Sequence, residues 1–361
     1  MKSGACSIGS LANSDVRVGV PVIVINGRFL TQPLRGVQRF AECLVQELSG
    51  LRNDLCVVAP HGELRMREIG GLPVYQWGHL SGYLWEQIEL PRFLRNANSE
   101  LVLCLGNTGP IGGRGMVLAL HDVTYLDFPG GYPFAMRLWL KTMTPILVRR
   151  SREVITVSHT AKRQIVSHYP AAGNKIAVVS NAVSGELTGS GPETVQRHDF
   201  LAFYHASESK NCAILVEAFR ALPNETLRLV GPAPESPVPP NVIPLGRLND
   251  SQLLDEYQHA LGFIIPSLSE GFGIPPLEAQ ANGAVVLSSN ASSLPEVLAD
   301  SALFFNPRDV SDLVDKIKRL AADPALVTRL RSLGSENWRR YSWKSSAERL
   351  NEVLNSLKRG S

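Results

Sequence analysis

Short apolar segments rich in β-forming residues alternate with longer amphipathic segments along most of this 361-residue chain. Parallel strands need a crossover helix between them, so this alternation predicts an α/β fold with doubly wound parallel sheets. The predicted strands are Val22–Ile25, Leu55–Ala59, Leu101–Leu105, Met116–Leu120, Val154–Val157, Ile176–Val179, Phe200–Phe203, Leu227–Val230, Val242–Leu245, Gly262–Pro266 and Ala284–Leu287. The clearest predicted helices are Val37–Leu48, Asn211–Leu222, Asp250–His259, Val310–Ala321 and Trp343–Leu357.

The alternation stops between Ser184 and His198, where polar residues and glycines replace the apolar pattern, and then restarts. The chain also exceeds the roughly 250–300 residues at which one hydrophobic core stops growing. We therefore expect two doubly wound domains, residues 17–183 and 199–342, followed by a last amphipathic helix at 343–361. Open parallel sheets bind ligands beyond the carboxyl ends of their strands, so the site should lie in loops that follow strands.

Charge and cysteine content restrict the function classes. The formal net charge is +3, too weak an excess to indicate nucleic-acid binding. The five cysteines are widely separated and lack metal-ligand spacing, which predicts reduced thiols. Residues 1–16 do not resemble a signal peptide, and no apolar run approaches the length of a spanning helix. These features predict a cytoplasmic protein that at most rests on a membrane surface.

A strand, a glycine loop and a helix start follow one another in the second half of the chain. The predicted strand ends at Pro266, the loop carries two glycines, and Pro275 and Pro276 mark the helix start, since proline is favoured in a first helical turn. Backbone N–H groups in such a loop can converge on an anion. We expect a cradle for a diphosphate formed by Gly271, Phe272, Gly273 and Ile274.

Two glutamates flank this loop, Glu270 before it and Glu278 in the expected first turn of the helix. A carboxylate repels a phosphate, so each is better suited to accept hydrogen bonds from hydroxyl groups. We assign Glu278 to the ribose and Glu270 to the donor sugar. Taken singly, Glu278 could instead complement the helix dipole and Glu270 could be a solvated loop residue.

The segment from Glu270 to Ala279, together with Leu294-Pro295-Glu296-Val297, resembles the signature of family 4 retaining glycosyltransferases of the GT-B fold. The likeness extends over most of the chain after residue 20 and includes Gly27 to Pro33, Gly36 to Phe40, His121-Asp122, Val157-Ser158, Asn181-Ala182-Val183, Ser209-Lys210-Asn211, Gly246-Arg247-Leu248 and Asn282-Gly283. The resemblance implies two Rossmann-like domains facing a cleft, an acceptor domain before a nucleotide-sugar-binding domain, and a C-terminal helix that crosses back to the first domain. It also implies no required metal.

Lys210 follows the predicted strand Phe200–Phe203, where it could reach a diphosphate in the same cleft. Position and resemblance assign Lys210 to balancing the charge of the departing diphosphate. Ser209 stands where the family often has an arginine, which predicts an altered phosphate site, and we count Ser209 among the donor-binding positions. Arg247 resembles a position near the base or phosphate pocket, although an ordinary surface arginine fits equally.

Loops of the first half supply the other candidates. His121 ends an apolar strand, and the resemblance places it beside the donor sugar, where it could orient the hexose. Asp122 could orient that imidazole or cap a turn. Asn107 lies in a loop after another strand, and Arg35 and Gly36 precede the helix near Val37. We assign these three residues, together with Asp122, to the acceptor or phosphate side.

The span from Arg137 to Arg152 carries five basic residues and no acid, interleaved with large apolar residues. It could rest on an anionic membrane, which would suit a lipid-linked acceptor. It could equally be a core-packing helix with a basic outer face.

The predicted function is retaining transfer of a hexose, with mannose favoured, from GDP-mannose or another nucleoside diphosphate sugar. The expected acceptor is a saccharide or lipid-linked saccharide in polysaccharide or lipopolysaccharide assembly, with no cofactor required. Alternatives are a rhamnosyl- or glucosyl-type transferase of the same fold, a nucleotide-sugar epimerase, and an inactive subunit that binds sugar nucleotides.

Overall fold

A computed structural model describes residues 23–113, 115–189, 199–234 and 236–359. The strands are β1 (Ile23–Asn26), β2 (Leu55–Ala59), β3 (Glu68–Ile69), β4 (Leu72–Gln76), β5 (Leu101–Cys104), β6 (Met116–Ala119), β7 (Glu153–Thr156), β8 (Ile176–Val178), β9 (Phe200–Phe203), β10 (Leu227–Val230), β11 (Val242–Gly246), β12 (Gly262–Ile265), β13 (Val285–Ser289) and β14 (Ala302–Phe305). The helices are α1 (Gly36–Ser49), α2 (Gly82–Leu84), α3 (Leu90–Asn96), α4 (Thr124–Asp127), α5 (Phe134–Arg150), α6 (His159–His168), α7 (Ala213–Arg220), α8 (Asp250–His259), α9 (Ile274–Ala281), α10 (Leu294–Leu298), α11 (Val310–Ala322), α12 (Pro324–Asn337) and α13 (Trp343–Arg359).

The strands form two sheets, as the alternation predicts. The first has eight strands in the order β3-β4-β2-β1-β5-β6-β7-β8, and the second has six in the order β11-β10-β9-β12-β13-β14. All neighbours in both sheets are parallel except β3 and β4. The predicted α/β fold is confirmed. Val22 and part of the predicted connection, residues 190–198, lie outside the described residues.

Central strands of both sheets are buried along their whole length, because helices cover both faces. Every residue of β1, β5 and β6 in the first sheet and of β12 and β13 in the second is buried. The sequence pattern missed β3, β4 and β14. These strands lie at or next to sheet edges and carry partly exposed residues, so they lack the continuous apolar run by which a buried strand is recognised.

The last helix returns to the first domain. Helix α13 follows the second sheet and packs beside α1, where Trp343 meets Phe40 edge-on. Arg52, just after α1, donates to the side chains of Asn351 and Asn355 at 2.7 and 2.6 Å. These contacts confirm the predicted crossover.

Helix α5 begins three residues before the predicted basic segment and ends at Arg150. One side of the helix is buried and consists of Leu140, Thr144, Leu147 and Val148. Phe134, by contrast, is 70% exposed. Among the described residues, no helix combines the length and the apolar character needed to cross a bilayer.

Candidate active site

A cavity of about 510 Å³ lies between the two sheets, bounded by loops that follow strands, as expected for open parallel sheets. Both halves of the chain line it. The predicted site residues in its wall are Arg35, Gly36, His121, Asp122, Glu270, Gly271, Phe272, Gly273, Ile274 and Glu278. The remaining lining residues are Leu34, Val37, Arg39, Val157, Asn181, Leu187, Phe203, Asp250, Leu253 and Pro275. The predicted positions Ser209, Lys210, Arg247 and Asn107 are outside this wall.

The glycine loop leads into α9 through Gly273, whose φ of 98° lies in the left-handed region that favours glycine. Helix α9 begins at Ile274, so Pro275 and Pro276 occupy the second and third helical positions. Neither proline has an N–H group, so these two positions add no donor to the predicted cradle. An anion held here would depend on the N–H groups of the loop. Glu278 lies in the second turn of α9. The prediction that it lies in the first turn is therefore wrong.

The glycine loop is also a contact between the domains. A Cβ at Gly271 would overlap the carbonyl oxygen of His121, so only glycine permits this approach. Ser158 at the start of α6 donates to the Gly271 carbonyl at 2.7 Å. The ring of Phe272 is buried edge-on against Tyr341, which makes Phe272 an apolar wall of the cavity.

Lys210 and Glu270 form an ion pair beside the loop. The Lys210 Nζ lies 2.7 Å from the Glu270 Oε1, and the Ser267 hydroxyl donates to the same oxygen at 2.8 Å. Burial disfavours the ammonium, but the neighbouring Glu270 outweighs it and raises the pKa of Lys210. Lys210 is therefore a permanent cation. It ends a 3₁₀ turn and lies before α7 rather than at the predicted helix start.

Ser209 is 4% exposed and supports the loop that precedes Glu270. Its carbonyl accepts from the N–H of Leu268 at 2.8 Å, and its hydroxyl meets that of Ser207 at 2.9 Å. The side chain contributes no charge to a phosphate. Arg247, after β11, is exposed on the surface and lies outside the cavity.

A cation on the first domain also lines the cavity. Arg39 on α1 pairs with Asp250 on α8 at 3.2 Å, and both line the wall. Sequence reasoning assigned Arg39 no role. The available signal was helical spacing, because Arg35 and Arg39 are four residues apart at the start of a helix whose N-terminus follows β1.

Glu278 is buried at the base of the cavity wall, where it accepts a hydrogen bond from the Tyr257 hydroxyl at 3.0 Å. Burial raises the pKa of Glu278 to about 7, although the Tyr257 hydrogen bond and the Arg39 charge oppose the rise. Tyr257 binds Oε2 of this carboxyl and not Oε1.

The raised pKa predicts that Glu278 destabilises the fold as pH rises. Between about 4.5 and 7 the folded carboxyl keeps a proton that the unfolded chain has lost, so the free energy of unfolding falls. Glu278→Gln removes this titration. Urea denaturation measures the free energy of unfolding of both chains. The value for the variant minus the value for the parent chain should rise by up to roughly 3 kcal/mol from pH 4.5 to pH 8. A difference between the two chains that is independent of pH would contradict the shift.

His121 is 7% exposed, with Nε2 lying 3.1 Å from the Leu105 carbonyl and its ring edge-on to Phe40. Burial lowers the pKa of His121, which makes the imidazole neutral near pH 7. A carbonyl partner places the proton on Nε2 and leaves Nδ1 as an acceptor. Asn107 accepts from the backbone N–H of His121 at 2.9 Å, so it positions this loop from outside the cavity.

The hydrogen bond that Asp122 makes agrees with the turn-capping interpretation. Its Oδ1 accepts from the N–H of Thr124 at 2.9 Å, which caps the turn leading into α4. Arg35 and Gly36 sit at the start of α1, exposed at the rim of the cavity. Of the two residues at the rim, Arg35 carries a charge.

Glu296 joins the domains beside the cavity. This residue of α10 accepts from the N–H groups of His159 and Thr160 at 2.7 and 2.8 Å and from the Thr160 hydroxyl at 2.8 Å. The first turn of a helix has unpaired N–H groups and a partial positive charge, so a carboxylate is favoured there. The contact holds α6 of the first domain against the second.

Glu296→Ala is expected to loosen this contact. The loss of three hydrogen bonds to a carboxylate should lower the free energy of unfolding by roughly 1–2 kcal/mol and speed amide exchange at His159 and Thr160. Hydrogen exchange measured by mass spectrometry checks this. Glu352→Ala, which breaks a pair exposed on α13, should leave the exchange of both amides unchanged. Equal exchange in the two variants would show that Glu296 does not hold the domains.

Solved structures share this arrangement over nearly the whole chain. Sucrose-phosphate synthase from Thermosynechococcus elongatus superposes with a TM-score of 0.73 at 15% identity, covering 94% of this chain and 100% of that chain. HepE from Anabaena, solved in complex with UDP and glucose, superposes with a TM-score of 0.70 at 17% identity, covering 93% and 100%. Two facing Rossmann-like domains with a crossover helix define the GT-B class of glycosyltransferases.

Two family models match consecutive parts of the chain. The model of glycosyltransferase family 4 matches residues 34–186, and the model of glycosyl transferases group 1 matches residues 193–337. The chain belongs to the family 4 glycosyltransferases, which confirms the resemblance seen in its motifs.

Characterised relatives include bacterial mannosyltransferases. The serotype-specific mannosyltransferase WbdA of Escherichia coli is 27% identical over 55% of this chain, and the match spans only 28% of WbdA. The O-antigen chain mannosyltransferase RfbU of Salmonella typhimurium is 25% identical over 65% of this chain and 69% of RfbU.

Proposed function

We propose that this glycosyltransferase moves mannose from GDP-mannose to a hydroxyl group of a saccharide or lipid-linked saccharide, in polysaccharide or lipopolysaccharide assembly. The observation that carries the proposal is the Lys210–Glu270 ion pair beside the glycine loop, because Glu270 and that loop line a cavity formed by both domains. The choice of mannose is supported by the relatives WbdA and RfbU, which are mannosyltransferases. We place the reaction in the cytoplasm or on the inner face of its membrane.

In the proposed reaction the anomeric carbon breaks its bond to the diphosphate and bonds to the acceptor oxygen on the same face, retaining its configuration. The leaving diphosphate takes the acceptor proton. Lys210 neutralises the charge that develops on the diphosphate, which would compete with Glu270 for the ammonium. Lys210 and Ser267 both bind Oε1 of Glu270, so Oε2 is the oxygen we assign to a hexose hydroxyl.

Other groups would position the substrates. We assign Oε1 of Glu278 to a ribose hydroxyl and the neutral His121 to the hexose. Arg35 and Gly36 lie at the rim of the cavity, where an acceptor would enter. Closure of the domains through Gly271 and Glu296 would align the two substrates and exclude water.

A panel of GDP-, UDP- and dTDP-sugars tests the donor. GDP-mannose should raise the melting temperature of the protein and undergo slow hydrolysis, with faster turnover once a saccharide acceptor is added. NMR of the product would show whether the anomeric configuration is retained. A clear preference for dTDP-rhamnose would replace mannose, epimerisation of the donor without acceptor would indicate an epimerase, and tight binding without turnover would indicate a binding subunit.

A further inference from the structure

Exposed apolar side chains concentrate on two neighbouring helical segments of the first domain. Among the described residues ten large apolar side chains are exposed, and seven of them lie on the segment 82–89 or on α5. The segments touch where the ring of Tyr83 meets that of Trp139, with centroids 5.1 Å apart. The most exposed members are Phe134 at 70%, Leu84 at 63% and Leu138 at 52%.

Helix α5 carries exposed cations beside these apolar groups, and the acids of the segment 82–89 are turned inward. Helix α5 contains no acidic residue, and its Lys141, Arg149 and Arg150 are exposed. The acids of segment 82–89 are buried: Glu86 accepts from Asn26 and Arg28, and Glu89 accepts from two backbone N–H groups. We define the apolar-basic surface as Leu84, Ile88, Phe134, Leu138, Lys141, Ile146, Arg149 and Arg150.

We propose that the apolar-basic surface docks on an anionic lipid bilayer. Helical spacing puts Leu138, Ile146 and Arg149 of α5 on one side, away from its buried face, with Lys141 at the edge of that side. Protruding apolar groups among cations match acyl chains beneath negatively charged headgroups. A second copy of the chain fits less well. A two-fold contact would bring the exposed Lys141, Arg149 and Arg150 of one copy against the same basic surface of the other.

Tyr83, the residue before Leu84 of the apolar-basic surface, connects this surface to the loop that carries Asn107. The ring of Tyr83 lies 4.6 Å from the Arg28 guanidinium carbon, and Arg28 donates to Thr108 at 2.6 Å. Thr108 follows Asn107, whose side chain holds the loop of His121. If the proposed transfer holds, on which this step rests, a bilayer bound here would present a lipid-linked acceptor to the cavity.

Vesicle binding tests the proposal without requiring turnover. The full chain should co-sediment with vesicles that contain phosphatidylglycerol and phosphatidylcholine, and added salt should weaken the binding. Phe134→Ser/Leu138→Ser should reduce binding roughly 10-fold or more, and so should Lys141→Glu/Arg149→Glu. The matched controls are Leu51→Ser/Ile243→Ser, at exposed apolar sites elsewhere, and Lys318→Glu/Arg319→Glu on α11, and both should bind as the parent chain does.

Three outcomes would overturn the proposal: equal binding to pure phosphatidylcholine vesicles, equal losses in the control variants, or a dimer in solution that Phe134→Ser/Leu138→Ser dissociates. Transfer to a water-soluble saccharide separates this proposal from the proposed function. This transfer should be unchanged in the surface variants. If the parent chain itself fails to transfer the sugar, the proposed function is wrong, but the vesicle result still stands.

Discussion

Lys210→Ala is expected to lower kcat/KM for sugar transfer by roughly 10²- to 10³-fold, as loss of one preorganised electrostatic group does in other enzymes. The effect should fall mainly on kcat, because negative charge on the diphosphate grows as the bond to the sugar breaks. Lys210 is suited to this role since Glu270 raises its pKa and keeps it charged. Steady-state kinetics with the preferred donor and acceptor measure the loss.

Two controls make the Lys210 result interpretable. Lys344→Ala removes an exposed lysine from α13 and should leave transfer unchanged. Lys210→Ala should also keep the circular dichroism spectrum of the parent chain, because the Lys210 side chain is 38% exposed. Full activity in a folded Lys210→Ala variant would remove Lys210 from the mechanism.

Gly271→Ala is expected to reduce transfer by roughly 10²-fold, since a misplacement of about 1 Å in a reacting assembly can have that effect. The new Cβ would overlap the His121 carbonyl, which is backbone and cannot rotate away. The domains must then separate, and the Ser158 hydrogen bond to the Gly271 carbonyl lengthens. Kinetics, with small-angle scattering in the presence of donor, report the lost activity and the incomplete closure.

Gly185→Ala is the matched control for Gly271→Ala. A Cβ at Gly185 meets no atom within 4 Å, so activity and scattering should match the parent chain. Unchanged kinetics for Gly271→Ala would mean that the close contact between the domains is not part of the catalytic state.

The parallel sheets were predictable because buried strands read as continuous apolar runs. Phe200–Phe203 and Leu227–Val230 have the same bounds in the sequence pattern and in the structure. The glycine loop and its two glutamates were also recognisable as local features. Local sequence could not show that Ser209 lies beneath the loop or that Arg247 lies outside the cavity, because both positions depend on how distant loops pack.

Contacts between the domains were the least predictable part of the site. Arg39 and Asp250 are 211 residues apart, and Glu296 lies 136 residues from Thr160. Within its own helix, each of the charged residues Arg39, Asp250 and Glu296 looks like an ordinary surface residue. Arg39 lines the cavity, and Glu296 binds a helix N-terminus, only because the two sheets face each other.

The two doubly wound sheets, the glycine loop before α9 and the family follow from the sequence alone, because these features depend on short-range periodicity and on motifs of fixed spacing. Packing of the folded chain sets which charges meet. It paired Lys210 with Glu270, buried Glu278 against Tyr257, and turned Glu86 and Glu89 inward beneath an exposed apolar surface. Burial and charge pairing arise from the approach of segments far apart in the chain, and local sequence does not encode that approach.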